Sequence, residues 1–155
     1  MRLNARMRSL IPEARSHARK LQPNLAGVAD REITCTKDGI VFSGQHGSRH
    51  DFPDTTGYEC FANHIHIDDY VLERSPEYLV EQALALAASL NERLRSVAPD
   101  SAFRFIIAAN EDGCTLRFHS VRADEQWETQ DLEEYREEAV AVIESNELHA
   151  VPQQD

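Results

Sequence analysis

The chain has 155 residues and a formal net charge of −11, from 27 Asp and Glu against 16 Lys and Arg. This length predicts one domain over residues 1–155, and the acidic balance disfavours binding to nucleic acid or to an anionic membrane, since both attract cations. Three cysteines, no apolar signal segment and no run of about 18 apolar residues predict a cytoplasmic protein with reduced thiols and no membrane span.

The first twenty residues are basic and contain six cations but one carboxylate, Glu13. Apolar residues recur at helical spacing from Pro12 to Gln22, and proline is favoured in the first turn of a helix. We therefore expect residues 1–22 to form a short basic helix or arm. Its charge is opposite to that of the C-terminal region, so the two ends can attract each other across the fold or between subunits.

The next elements are predicted to be strands. Residues Glu32 to Gly44 favour a β-hairpin, because β-rich segments flank Lys37-Asp38-Gly39 and Asp-Gly favours a tight reversal. Gly, Ser and Pro are frequent in residues 45–57, which predicts a polar loop. A third strand is predicted over Tyr58 to Ile67.

A long helix is predicted to follow. Ser75-Pro76-Glu77 supplies a capping side chain, a preset φ angle and a carboxylate in the positive first turn. Leu and Ala then recur on one broad stripe from Glu77 to Val97, as in a helix that packs across a sheet. Alternating apolar residues predict two further strands, Ala102 to Ala109 and Cys114 to Val121, and Glu138 to Ile143 is the last strand candidate.

This element order favours an α+β fold. Hairpins on each side of one helix predict an antiparallel or mixed sheet of about six strands packed against one long central helix, with a short N-terminal helix beside it. The chain contains no internal repeat and no clear linker. We therefore expect a single hydrophobic core.

A pair of histidines is the best candidate for catalytic chemistry. His64 and His66 would project from the same face of a strand, where two imidazoles and a carboxylate such as Asp68 can share a metal ion. His119, on a later strand, is the candidate third histidine ligand. Over six residues this segment resembles the H-x-H-x-D-H element of metallo-β-lactamase-type hydrolases, with Asp69 in place of the last histidine.

This resemblance implies a small metal-dependent hydrolase as an alternative function. Two histidines on the solvated side of a strand are, however, more often ordinary polar residues beside core residues such as Ile65 and Ile67. The cysteines Cys35, Cys60 and Cys114 lie in apolar segments, where cysteine acts as a small hydrophobe. We therefore predict no catalytic residue, no metal and no cofactor, and keep the histidine cluster as the alternative.

The region from Ala123 to Asp155 is strongly acidic, with eleven carboxylates, one cation, Arg136, and the only tryptophan of the chain. Such a charge suits a basic protein surface, because it steers the encounter while a desolvated ring holds the complex. A solvated face without a specific role is the alternative interpretation. The predicted partner-binding residues are Asp124, Glu125, Trp127, Glu128, Asp131, Glu133, Glu134 and Tyr135.

The layout of the chain also resembles a known class of proteins. A long helix precedes Phe103 to Ile107 and Cys114 to His119 in a small acidic protein, and over Tyr58 to Ser145 this layout resembles the immunity proteins of bacterial polymorphic-toxin systems of the contact-dependent inhibition type. The resemblance implies a non-enzymatic inhibitor that occludes the cationic site of a basic, nuclease-like toxin. A structural protein that forms homo-oligomers through its oppositely charged ends is a further alternative.

Overall fold

The computed structural model describes residues 1–16, 20–44 and 47–148. Within these residues the helices are α1 (Ala5–Ser16), α2 (Pro23–Ala29), α3 (Thr55–Ala62) and α4 (Pro76–Val97). The strands are β1 (Arg2–Leu3), β2 (Ile33–Thr36), β3 (Gly39–Phe42), β4 (His64–His66), β5 (Phe103–Ala109), β6 (Cys114–Ser120) and β7 (Ala139–Glu144). Short 3-10 turns lie at Arg49–Asp51, Ile67–Asp69, Leu132–Glu134 and Ser145–Glu147.

The long helix α4 forms where the sequence predicts it. Pro76 is its first residue and Glu77 lies in its first turn, while the hydroxyl of Ser75 donates to Glu73 instead of capping the helix. The predicted apolar stripe is buried along its whole length: Leu79, Ala83, Leu86, Leu90 and Leu94. Each buried leucine contributes about 1.5 to 3 kcal/mol, so this stripe is a major source of stability. No helix in the described ranges combines the length and apolar character needed to cross a membrane.

Strand β5 is the centre of a five-stranded antiparallel sheet with the strand order β1-β7-β5-β6-β4. It pairs with β6 from Phe103 opposite Ser120, and with β7 from Arg104 opposite Glu144. Strands β2 and β3 form a separate hairpin around the predicted Lys37-Asp38 turn. The predicted α+β class, with a sheet beside one long helix and a short N-terminal helix, is therefore confirmed.

One face of the sheet, here called the inner face, packs against the helices. Because side chains alternate along a strand, every second residue of the sheet enters this core. The ring of Phe118 lies 5.9 Å from that of Phe105 and 5.4 Å, edge to face, from that of Phe42 in β3. The hairpin therefore shares the same core as the sheet. The main inner-face residues are Phe103, Phe105, Ile107, Leu116, Phe118, Ala141 and Ile143.

The prediction of a strand from Tyr58 to Ile67 is wrong, because this segment forms most of α3 followed by the short β4. Asp54 caps α3, since its Oδ1 accepts a hydrogen bond from Gly57 N at 2.7 Å. Polar residues recur at helical spacing here, and their burial against β3 and β6 outweighs the β preference of Tyr and Phe. These buried polar residues are Thr56, Glu59 and Asn63.

The predicted N-terminal helix is present but begins earlier than expected. Helix α1 starts at Ala5 instead of Pro12, because Asn4 caps it. The Oδ1 atom of Asn4 accepts a hydrogen bond from Met7 N at 3.0 Å, and Met7 is fully buried. A separate helix, α2, begins at Pro23. Residues 17–19 of the predicted arm lie outside the described residues.

The predicted polar loop, residues 45–57, contains more local structure than expected. The Ser48 hydroxyl caps the 3-10 turn at Arg49–Asp51 by accepting from His50 N. Helix α3 then takes the last three residues of the predicted loop. Residues 45 and 46 lie outside the part of the chain that the structure describes.

Candidate functional site

The second face of the sheet, here called the outer face, carries the residues that alternate with the core set. Its middle is apolar, where Ile106, Val140 and Val142 form a small cluster of their own. Its margins are polar, which distinguishes it from the inner face. By strand register, the polar outer-face residues are His64, His66, Arg104, Thr115, Arg117, His119 and Glu144.

Residues 121–138 cross this outer face, and we call them the strap. The structure describes the whole strap, and the 3-10 turn at Leu132–Glu134 is its one regular element. Leu132 is buried against the apolar cluster of the outer face, and Tyr135 packs at its edge. The hydroxyl of Tyr135 also accepts a hydrogen bond from Thr129 N at 3.1 Å. All of the predicted acidic binding residues therefore belong to a segment fixed to the sheet.

Glu128 anchors the middle of the strap. Its residue surface is 3% exposed, and its Oε1 accepts hydrogen bonds from Arg2 Nη2 at 2.5 Å and Arg104 Nη1 at 3.2 Å. Arg104 also donates to Glu144 at 2.7 Å. Two arginines offset the desolvation of this one buried carboxylate. Glu128 thus lies in the interior and is removed from the predicted partner-binding surface.

Glu125 fixes the start of the strap to helix α3. Its Oε1 accepts a hydrogen bond from Thr56 N at 3.0 Å, at the positive end of the helix. The Nε atom of Arg122 lies 3.8 Å from Glu125 Oε2, the other oxygen of this carboxylate. Its Nη2 atom lies 2.5 Å from Oε1 of Glu59, whose carboxylate is fully buried. Glu125 therefore serves mainly the fold.

Glu133 joins the strap to the basic N-terminal region. Its Oε1 accepts hydrogen bonds from Ala5 N at 2.8 Å and from Arg8 Nη2 at 3.1 Å. Arg2 contacts the strap as well, through Glu128. Two basic residues near the N-terminus, Arg2 and Arg8, therefore contact the acidic strap of the same chain. The charge of the strap is therefore partly neutralised from inside the molecule.

Trp127 is held at the surface between these anchors, with 43% of its residue surface exposed. The guanidinium of Arg117 lies over its ring, 5.2 Å from the centroid, in a cation–π geometry. Arg117 Nη1 also donates to the carbonyl of Cys60 at 3.2 Å. Burial lowers the pKa of Arg117, and the Glu138 carboxylate opposes this effect. The indole is thus supported on one side and open to solvent on the other.

The eight predicted binding residues therefore divide into two groups. Asp124, Asp131 and Glu134 are exposed around the strap, as is Glu133 despite its hydrogen bonds. The Asp131 carboxylate also accepts from Glu133 N at 3.0 Å, which begins the 3-10 turn. The remaining residues of the set anchor or support the strap, apart from the exposed ring of Trp127.

The predicted histidine cluster does not form a metal site. Among the residues that the structure describes, no group of three His, Cys, Asp or Glu side chains is placed to hold a metal ion. The rings of His64 and His66 lie 4.6 Å apart, but His64 is opposite Arg117 in the sheet while His119 is opposite Arg104.

The other candidate ligands have structural partners. His119 is fully buried, and its Nδ1 lies 2.7 Å from the carbonyl of Ser120. Burial lowers its pKa, which this carbonyl and the Glu128 carboxylate oppose. The Oδ1 of Asp68 accepts a hydrogen bond from Cys114 N at 2.9 Å. These side chains support the sheet instead of converging on one point.

Two buried polar residues are not predicted from the sequence: Glu59 in α3 and Asn63 directly after it. Asn63 Nδ2 donates to the carbonyls of Ile40 at 2.9 Å and Phe118 at 3.2 Å, and its Oδ1 accepts from Phe42 N at 3.0 Å. Glu59 accepts from Ile40 N at 3.3 Å and from the Ser120 hydroxyl at 3.1 Å. These side chains connect the hairpin to the sheet where strand pairing ends. Their spacing of four residues, which places them on one face of a helix, was the sequence signal that could have identified them.

The fold and the strap define an α+β protein whose antiparallel sheet is covered by helices on one face and by an acidic segment on the other. A protein-family model described as the uncharacterized protein PM0498 family matches residues 2–153. The chain therefore belongs to this family. No curated protein and no solved structure matches the chain significantly. The family match includes both the N-terminal basic region and the strap.

Proposed function

We propose that this protein is a non-enzymatic binding module that captures a basic protein through the exposed side of its strap. The observation that carries the proposal is the position of Trp127. Trp127 is 43% exposed, although Glu125 and Glu128 on either side of it are hydrogen-bonded into the fold. A large aromatic ring on a fixed backbone loses little conformational entropy on binding, which favours a strong contact.

The charges around this ring support a cationic partner. Four exposed carboxylates of the strap have no ion-pair partner within the described ranges of the chain. The net charge of −11 also favours attraction of a basic protein at low salt. Charge steers the encounter, and the desolvated ring then stabilises the complex. These four carboxylates are Asp124, Asp131, Glu134 and Glu137.

The specific form that we propose is an immunity protein that neutralises a nuclease-like toxin. In this mechanism the carboxylates of the strap occupy the cationic site that would otherwise hold nucleic-acid phosphates. The toxin is inhibited by occlusion, and no bond is made or broken. The small acidic α+β layout and the strap support this form of the proposal.

A charge-reversal variant tests the proposed surface. Trp127→Ala combined with Asp131→Lys and Glu134→Lys removes the ring and reverses two exposed carboxylates without touching the anchor Glu128. We expect a loss of about 100-fold or more in affinity for the basic protein that copurifies with the natural chain, measured by calorimetry. Circular dichroism should show an unchanged fold.

A matched variant controls for the change in net charge. Asp30→Lys after α2, Glu92→Lys on α4 and Leu72→Ala alter the same kinds of residue at exposed positions outside the strap. This variant should bind like the natural protein. Equal losses in both variants would show a nonspecific charge effect, and unchanged binding in the strap variant would reject the proposed surface.

A further inference from the structure

Helix α3 presents a second exposed aromatic ring. Phe61 has 52% of its residue surface exposed, and its ring lies 5.1 Å from that of Phe52. Phe52 in turn lies 5.8 Å from the ring of the buried Tyr58. Phe61 is therefore supported from one side by aromatic packing, as Trp127 is supported by Arg117. Among the Phe, Tyr and Trp side chains of the described residues, Phe61 and Trp127 are the two exposed ones.

The two exposed rings lie on neighbouring elements. The start of the strap runs along α3, because Glu125 contacts the backbone of Thr56 at the beginning of the helix. Further along, Arg117 lies over Trp127 and donates to the carbonyl of Cys60, the residue before Phe61. One guanidinium therefore connects the strap with the helix end that carries the second ring.

We infer that Phe61 is a second anchor of the partner-binding surface, and that the basic partner places an apolar side chain against it. This inference rests on the proposed function. Binding energy is concentrated in clustered aromatic side chains surrounded by polar residues that exclude water. Trp127 and Phe61 supply two exposed rings on neighbouring elements that Arg117 connects, and the strap beside Trp127 carries the exposed carboxylate of Asp124.

Charge complementarity identifies the kind of partner. The strap side of this surface is acidic. Arg117, the cation over the Trp127 ring, is half-buried and already engaged with Trp127 and Cys60. Arg49, near Phe52, is half-buried and donates to the Thr55 hydroxyl and the Phe52 carbonyl.

An acidic partner would meet the repulsion of the strap carboxylates. A second copy of this chain carries a net charge of −11, and the N-terminal cations Arg2 and Arg8 already contact the strap of their own chain, so a second copy is disfavoured as well. The surface therefore fits a basic protein with an apolar residue inside its cationic patch.

Site-specific photocrosslinking tests this inference. Benzoylphenylalanine is placed at position 61, 127 or 72 of the full chain in cells that naturally produce it. Leu72 is the control, since it is apolar and 99% exposed. We expect positions 61 and 127 to crosslink one and the same protein, identified by mass spectrometry and of basic isoelectric point, and position 72 not to crosslink it.

The other outcomes separate the two proposals. A basic protein captured from position 127 alone would overturn the role of Phe61 and leave the proposed function intact. Capture of an acidic protein, of a second copy of this chain, or of nothing at either position would overturn both.

Substitution of Phe61 gives a quantitative second test. With the identified partner, Phe61→Ala should weaken binding about tenfold or more, whereas Leu72→Ala should leave the affinity unchanged. Thermal unfolding of Leu72→Ala should match that of the natural protein. Phe61→Ala loses the ring contact with Phe52 and should unfold at a slightly lower temperature while staying folded at the temperature of the binding assay. Equal affinity of the two variants would overturn the assignment of Phe61.

Discussion

The two faces of the sheet are stabilised in different ways. The inner face buries a continuous apolar set against α1, α2 and α4, including Leu86, Leu90 and Phe105. The outer face carries a small apolar cluster and is otherwise held by charged hydrogen bonds, above all those of Glu128. Stability is therefore distributed over many contacts on the inner face, whereas the position of the strap depends on a few side chains. A binding surface can change on such a strap without loss of the core.

The largest expected effect is on the inner face. Leu90→Ala removes a fully buried leucine from the centre of α4 and should lower the free energy of unfolding by about 2 to 5 kcal/mol. Urea denaturation followed by circular dichroism measures the change. Val97→Ala at the exposed end of the same helix is the control and should stay within about 0.5 kcal/mol. Similar losses in both variants would contradict the assigned core.

A smaller but more local effect is expected on the outer face. Glu128→Gln removes the carboxylate that binds Arg2 and Arg104, which should destabilise the protein by about 1 to 3 kcal/mol. Since Trp127 is the only tryptophan, its emission reports the strap alone. We expect a red shift and stronger acrylamide quenching in this variant.

The exposed neighbour Glu137 is the control for this experiment. Glu137→Gln makes the same chemical change without a buried partner, so emission and stability should not change. If Glu128→Gln behaved like Glu137→Gln, the anchoring role of Glu128 would be wrong. If it unfolded the whole protein, the two faces would not be separable as proposed.

The same contrast explains how much of the structure the sequence could predict. Helix α4 is predicted correctly because its signals are local: a proline and a carboxylate at its start and a regular apolar stripe. Helix α3 is predicted wrongly because its buried polar residues have a role only after β3 and β6 are in place. Local β preference was the stronger signal in the sequence.

The candidate site shows the same division. The acidic run and Trp127 are visible in the sequence, but the burial of Glu128 is not. Its partner Arg2 is 126 positions away and Arg104 is 24 positions away, so no local pattern marks Glu128 among the surrounding carboxylates. The sequence predicts the charge of the strap, and the structure adds which of its residues are available to a partner.

Acid should weaken the outer face in a defined pH range. Burial lowers the pKa of His64 to about 4, with further contributions from Arg117 and His66. In the unfolded chain this imidazole has an ordinary pKa near 6.5, so the unfolded state binds more protons between about pH 6.5 and 4. Stability should therefore fall as the pH decreases through this range.

A histidine substitution isolates this contribution from that of the carboxylates. Between pH 6.5 and 4, the unfolding free energy of His64→Gln should fall less than that of the natural protein, by on the order of 1 kcal/mol. The difference is this small because the His64 ring is only half-buried. Denaturant titrations at several pH values measure it. His50→Gln, at an exposed position in the 3-10 turn at Arg49–Asp51, is the control. An unchanged pH profile in His64→Gln would contradict the assigned shift.

The smallest expected effect concerns the contact between Arg117 and Trp127. Arg117→Lys keeps the charge but loses the planar group over the indole, and such a cation–π contact contributes about 0.5 to 1 kcal/mol. The stability change should therefore be close to the limit of detection, while Trp127 emission and quenching should change clearly. Arg93→Lys, whose guanidinium donates to Ala29 and Arg31 on the helical side, should leave the emission unchanged. If both variants left the emission unchanged, Arg117 would not support the ring, and its role in connecting Trp127 with α3 would be wrong.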